Sequence, residues 1–123
     1  MAPFDQIETF QAALMSLFAG DPDNTESDLS RLFHPDFTQR DDQTTRDFAT
    51  FVAHIRWLRE NMEPGSTQLT ITQLLRDGRQ FADRHDSTTK MPDGSVARAE
   101  TFMFGELAED GRIKWLVETV RRK

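Results

Sequence analysis

Cysteine is missing altogether, which excludes disulfides, thiolate catalysis and any cysteine-ligated metal site. Tyrosine is missing too, so no phenolic hydroxyl is available to a site. No apolar run approaches the roughly 20 residues that a membrane span needs. Positive charge is scarce: the net charge of −6 leaves no basic face for nucleic acid or an anionic membrane. The basic tail Arg121-Arg122-Lys123 is too short to change this and reads as a solvated terminus. The start, Met1-Ala2-Pro3-Phe4-Asp5, has neither a basic region nor an apolar signal core, so a cytoplasmic protein is expected. There is no glycine-rich phosphate loop, no serine nucleophile elbow and no His-x-x-x-His or Glu-x-x-His pattern. Neither a metal nor a cofactor is expected.

What the chain does have is phenylalanine. Ten Phe and two Trp in 123 residues are a strong aromatic supply for the core of a single domain, residues 1–123. Three Asp-Gly pairs punctuate the back half: Asp77-Gly78, Asp93-Gly94 and Asp110-Gly111. Asp-Gly between strand-forming runs is a strong hairpin signal, because the turn needs positive φ and glycine adopts it freely. Three such turns predict a four-strand antiparallel meander over Thr67–Leu75, Gln80–Lys90, Ser95–Leu107 and Arg112–Arg121.

The front half reads as helices. Ile7, Phe10, Leu14, Leu17 and Phe18 predict a first helix from Pro3 to Ala19, stopped at Gly20. Thr25 with Asp28 three residues on reads as a weak capping box for a short second helix that ends before Pro35. A short strand follows over Phe37–Arg40. Thr45 is a candidate N-cap for a third helix marked by Phe48, Phe51, Val52, Ile55, Leu58 and Met62 and ended by Pro64-Gly65. The plan is α+β: three N-terminal helices packed in the concave face of a strongly curved antiparallel sheet, a cone-like barrel with a cavity inside.

The second meander strand is anomalous. It should be interior, yet it carries Asp83, Arg84, His85 and Asp86. Buried charges must pair or shift their pKa. Alternation puts Phe81, Asp83, His85 and Ser87 on one face and Ala82, Arg84, Asp86 and Thr88 on the other. A solvated face with cross-strand salt bridges is one reading; a cavity wall is the other. If Met91 pairs with Gly94, His85 sits opposite Glu100. If the loop is one residue longer, Asp86 does. Glu100 shares its face with Phe102 and Phe104, an apolar wall that would raise a carboxyl pKa. His34 reads as a helix-end residue and His54 as a surface one.

Several local stretches carry a resemblance. Phe18-Ala19-Gly20-Asp21, Leu32-Phe33-His34-Pro35-Asp36-Phe37 and Glu109-Asp110-Gly111-Arg112-Ile113, in this order over nearly the whole chain, resemble the nuclear-transport-factor-like superfamily, in particular its SnoaL-like and ketosteroid-isomerase branch. The resemblance implies a cone-shaped pocket, and dimers through the open sheet face. It places Asp41 at the isomerase's general base and Glu100 at its protonated oxyanion-hole acid. The oxyanion tyrosine falls at Ala13, which argues against steroid isomerisation by that mechanism. Asp83, His85, Ser87, Leu116, Glu118 and Val120 turn inwards in the same alignment.

The expected site therefore has His85, Glu100 and Asp41 as catalytic groups. Asp83, Phe51, Phe81, Phe102, Phe104 and Glu118 would contact the ligand, a small polar or cationic molecule. The expected chemistry is a proton transfer such as isomerisation, dehydration or cyclisation; the rival is a non-catalytic binding or dimerisation module. Ile113, Trp115, Val117 and Thr119 on the last strand, with Ala97, Ala99, Thr101 and Met103 on the one before, are expected to form the bare outer face of a homodimer.

Overall fold

The computed structural model describes residues 6–123. Helix α1 spans Ile7–Ser16 and α2 spans Thr25–Leu32, with one 3-10 turn, Pro22–Asn24, between them. Strand β1 (Phe33–Arg40), a short β2 (Thr45–Asp47) and helix α3 (Phe48–Asn61) follow. The meander is β3 (Thr67–Asp77), β4 (Gln80–Lys90), β5 (Val96–Leu107) and β6 (Ile113–Arg122). The helices and the four meander strands match the expected elements within a few residues at most ends. The expected start of the first helix at residues 3–5 lies outside the described residues.

Local chemistry moves several boundaries. After Ser16 the chain tightens into i→i+3 bonds, Leu17 N to Leu14 O, Phe18 N to Met15 O and Ala19 N to Ser16 O. The expected Thr25–Asp28 capping box does not form. Thr25 Oγ1 donates to Pro22 O instead, and Asp28 turns to Arg59. Asp47, not Thr45, caps α3, accepting from Thr50 N at 2.8 Å. Thr45 is free to join β2, which pairs with β1 and was not expected from sequence.

The six strands form one open sheet in the order β2-β1-β6-β5-β4-β3. The meander is antiparallel throughout, but β1 runs parallel to β6, so the sheet is mixed where a wholly antiparallel one was expected. No hairpin joins β1 to β6. The intervening chain crosses the whole domain, which leaves the direction of β1 free of the hairpin constraint. The pairing shifts register between Phe33 and Thr38, the stretch that holds Pro35.

Register decides the faces. Met91 N bonds Ser95 O at 2.8 Å and Gly94 takes φ 89°, so the β4–β5 loop is the longer of the two alternatives. Asp93 Oδ1 secures it by accepting from Ser95 N and Ser95 Oγ. Asp86 is therefore opposite Glu100, and His85 is opposite Thr101. A one-residue slip transfers every side chain of a strand to the other face. Glu100, Phe102 and Phe104 thus lie on the outer face, while Ala99, Thr101 and Met103, expected outside, are buried beneath the helices.

The core fills the space between helices and sheet. Phe33, Phe37 and Phe51 stack with centroids 4.6–5.1 Å apart, and Phe10 meets Phe81 edge-on at 5.6 Å. Phe81 also lies across Gly105, where any Cβ would press into its ring. A charged residue ties the helices together inside: Arg59 of α3, whose side chain is 1% exposed. Its guanidinium donates to Ser16 O, Leu17 O and Asp21 O and pairs with Asp28 Oδ2 at 2.9 Å. Gly20 is needed for space rather than for φ, since a Cβ there would stand about 2.5 Å from that guanidinium.

Arg59→Met would leave Leu17 O and the Asp28 carboxylate without this donor and strip one of two donors from Ser16 O and Asp21 O, so a loss of about 3 kcal/mol is expected in urea denaturation. A loss under about 1 kcal/mol would show that the ends of α1 and α2 are held by other means.

Candidate functional site

The face of the sheet beneath the helices is polar at its centre. On β4, Asp83 and His85 alternate inwards; on β6, Leu116, Glu118 and Val120 do the same; β1 adds Gln39, opposite Leu116. His85 Nδ1 lies 2.8 Å from Asp83 Oδ2, and both residues are buried. A carboxylate accepts only, so the geometry assigns the imidazole proton to Nδ1 and leaves Nε2 as the basic nitrogen. Nε2 has no protein partner among the described residues. Asp83 Oδ1 is buried and also unpartnered among them.

His85 and Glu118 both line two adjoining chambers. The outer one, about 440 Å³, runs between Met15, Phe18, Leu58 and Met62 on the helix side and Ser87, Thr89, Thr101 and Val120 on the sheet. The inner one, about 140 Å³, reaches Phe51, His54, Gln39 and Met103. Phe18, Leu58 and Leu69 border both. The helix side is therefore mainly alkyl, aromatic and thioether, with Glu63 and His54 at its edges, and the sheet side carries hydroxyls with His85, Glu118 and Arg122.

Glu118 is the perturbed group. Burial pushes its carboxyl above the usual carboxylate range, while the Gln39 amide and the positive charge available to His85 pull it back by less. Gln39 Nε2 donates to Glu118 Oε1 at 2.5 Å, and Gln39 Oε1 accepts from Arg46 Nη1 at 2.9 Å. Arg46 Nη1 also reaches Asp41 Oδ2 at 2.9 Å. Asp41 in turn accepts from the backbone N–H groups of Gln43 and Thr44, and these with Arg46 hold its carboxyl below the usual range. His54 is exposed overall but borders the inner chamber. Desolvation there, and then the charge of Arg46, push its imidazole below the usual value. Among the described residues no three His, Asp or Glu side chains gather to hold a metal.

No protein-family model matches the sequence, and no curated protein does. Solved structures do match. An NTF2-like protein of unknown function from Exiguobacterium superposes with a TM-score of 0.71 at 17% identity, covering 89% of this chain and 96% of that one. A protein of the SnoaL-like family from Agrobacterium tumefaciens gives 0.67 at 14% identity over 94% and 97%. A protein with a ketosteroid isomerase-like fold from Catenulispora acidiphila, in complex with trimethylamine, gives 0.67 at 14% identity over 87% and 81%. This chain has the nuclear-transport-factor-like fold.

Within the nuclear-transport-factor-like fold, the expected site residues separate into two groups. His85, Asp83, Glu118 and Phe51 meet under the helices, around the two chambers. Glu100 does not join them. On the outer face it pairs with Arg84 at 2.7 Å and lies 3.7 Å from Arg121, while Arg84 also covers the Phe102 ring. Phe102 and Phe104 are exposed outside, and Phe81 packs in the core beside Phe10 rather than on a chamber wall. Asp41 sits in the turn after β1, and among the described residues its hydrogen-bonded path to Glu118 runs through Arg46 and Gln39. Sequence reasoning missed Gln39, Arg46, His54 and Thr101. The alternation of β1 with a buried Phe37 could have found Gln39; β2 left no signal for Arg46.

The raised pKa of Glu118 has a sign. Its folded value lies above the unfolded one near 4.5, so ionising it costs stability as pH rises through that window, and below it the cost vanishes. Glu118→Gln, which can still accept from Gln39, is expected to be more stable than wild type at pH 7.5 and to lose the advantage towards pH 4. Equal pH profiles in urea melts would refute a raised Glu118.

Proposed function

We propose that this chain binds a small molecule in the twin chambers and moves a proton on it, with His85 as base and Glu118 as acid. One observation carries the reading. A buried carboxylate, Asp83, commits one nitrogen of His85 and leaves the other at a cavity where Glu118, two strands away on the same sheet face, has a raised pKa. That pair can take a proton from one atom of a ligand and supply one to another, which is what isomerisation, dehydration and cyclisation share. Asp83 orients the imidazole, and neither Glu100 nor Asp41 touches it. The acidic interior favours a polar or cationic ligand, and the trimethylamine held by the Catenulispora protein supports an amine-sized guest. Fold likeness alone assigns no reaction, since this architecture hosts many.

The test uses isotope-labelled protein titrated with trimethylammonium chloride and, separately, with cyclohexanone in deuterium oxide. Backbone shifts are expected at Ser87, Thr101 and Glu118, with faster exchange of the ketone's α-protons. His85→Gln keeps a donor for Asp83 and should slow that exchange by about 100-fold, the lower end for general-base catalysis. Shifts without exchange would leave a binding module. Shifts confined to the outer face would remove the site.

The outer face supports a homodimer. Leu75, Ala82, Phe104 and Val117 form a continuous cross-strand row over β3 to β6, with Phe102 and the half-buried Trp115 beside it. Leu75 and Phe104 are 67% and 65% exposed, an apolar stripe that a two-fold copy would cover. Trp115 and Val117 keep the place expected of them; Phe102 and Phe104 take that of Met103. Light scattering is expected to give twice the chain mass for wild type and a single chain mass for Phe104→Glu. A wild-type monomer at micromolar concentration would refute the pairing.

A further inference from the structure

From Arg46 to Glu118 the hydrogen bonds run in one direction, and behind Arg46 the acceptor Asp41 is held by the β1–β2 turn. Gln43 N and Thr44 N donate to Asp41; Arg46 donates both to Asp41 and to Gln39; Gln39 donates to Glu118. A carboxamide alone could face either way, since its oxygen and nitrogen are similar in shape. Here it cannot. Arg46 has donors only, so the oxygen of Gln39 must face it and the NH₂ must face Glu118. Arg46, anchored on Asp41, thus determines the polarity of a chain that ends in the cavity.

We infer that Arg46, acting through Gln39, determines which oxygen of Glu118 can carry a proton. Oε1 receives the amide N–H and is held as an acceptor. Oε2 has no protein partner among the described residues, and it is the oxygen on which a proton can reside and be passed to a guest. Arg46 touches neither the cavity nor Glu118, so it is a positioning residue. The role given to that proton rests on the proton-transfer reading above, whereas the arrangement of the amide does not.

Other charges face Glu118 as well. Asp83 and His85 lie on β4, His54 on α3, and Arg122 and Glu63 at the outer chamber; Asp41 and Arg46 stand behind Gln39. Among the described residues β5 adds only the uncharged Ala99, Thr101 and Met103, and α1 only apolar groups and Ser16. None of these donates to Glu118 Oε1, so an effect routed through the amide can be told from a general change of charge.

The experiment is a carbon-13 titration of the Glu118 carboxyl without any ligand, assigned by its loss in Glu118→Gln, together with the Gln39 side-chain NH₂ resonances. In wild type the Gln39 NH₂ signals are expected to move with the Glu118 midpoint. Gln39→Met removes a donor to the ionised form, so the midpoint should rise. Arg46→Met frees the amide to turn its oxygen to Glu118, so the midpoint should rise and the NH₂ signals should stop following it. Arg46→Lys keeps a donor and should restore both. A Gln39 NH₂ group indifferent to Glu118 in wild type would overturn the inference whatever the variants do. So would an Arg46→Met protein in which it still follows an unmoved midpoint. If the titrations behave as expected but neither trimethylammonium nor cyclohexanone reaches the cavity, the positioning stands and the functional reading falls.

Discussion

The guanidinium of Arg59 is the constraint on which the rest of the molecule depends. It lies inside the domain, and it meets the end of α1, the turn after it and the side of α2 at one point. Helix ends leave carbonyls unpaired, and a buried carbonyl without a donor is costly. Arg59 answers that cost for α1 while tying α3 to the same place. Its planar fork serves four acceptors at once, whereas an ammonium on a flexible stem has only three donors and no fixed fork. Gly20 is small because the guanidinium occupies the space a side chain would need. The consequence reaches the cavity. Met15, Phe18 and Ala19 at the end of α1, and Leu58 and Met62 at the end of α3, form its roof, and their spacing over the sheet follows from this junction.

Below that roof the sheet does two different things on its two faces. The inner face carries two separate polar systems, Asp83 with His85 and the chain from Asp41 to Glu118, and each is anchored away from the cavity. Neither closes on the other, so His85 Nε2 and Glu118 Oε2 remain open to a guest. A scaffold with no site would have reason to pair such groups, since buried polar atoms left open reduce stability. The outer face shows that alternative: Glu100, Arg84 and Arg121 satisfy one another there. The contrast between the faces supports the proposed site more firmly than any single residue does.

The chain's likeness to NTF2-like, SnoaL-like and isomerase-fold structures establishes architecture. The Agrobacterium and Catenulispora proteins share the cone with this chain at 14% identity each, a level at which side chains in a pocket are free to differ. They differ in kind here from the isomerase pattern that the sequence resembles. No tyrosine is available, the carboxylate of Glu100 is outside, and Asp41 is held in a turn. What faces the cavity is an Asp–His pair and a glutamate on the last strand.

Read alone, the sequence determined the helices, the meander and its hairpin tips. Those follow from local physics: apolar residues three and four apart, and Asp-Gly where positive φ is required. It also determined that Asp83 and His85 share a face, because alternation within one strand needs no partner. Whether His85 faces Glu100 or Thr101 was decided by the tertiary structure. That choice turned on one extra residue in the loop at Gly94, and with period-two alternation one residue moves a whole strand from the core side to the outside. Helix ends shifted for a related reason, since Asp28 had a better partner in Arg59 than in its own helix. The junction at Arg59 and the path from Asp41 to Glu118 join residues 43 and 79 positions apart at their longest links. Such pairings exist only once the chain has folded, so no local pattern announces them.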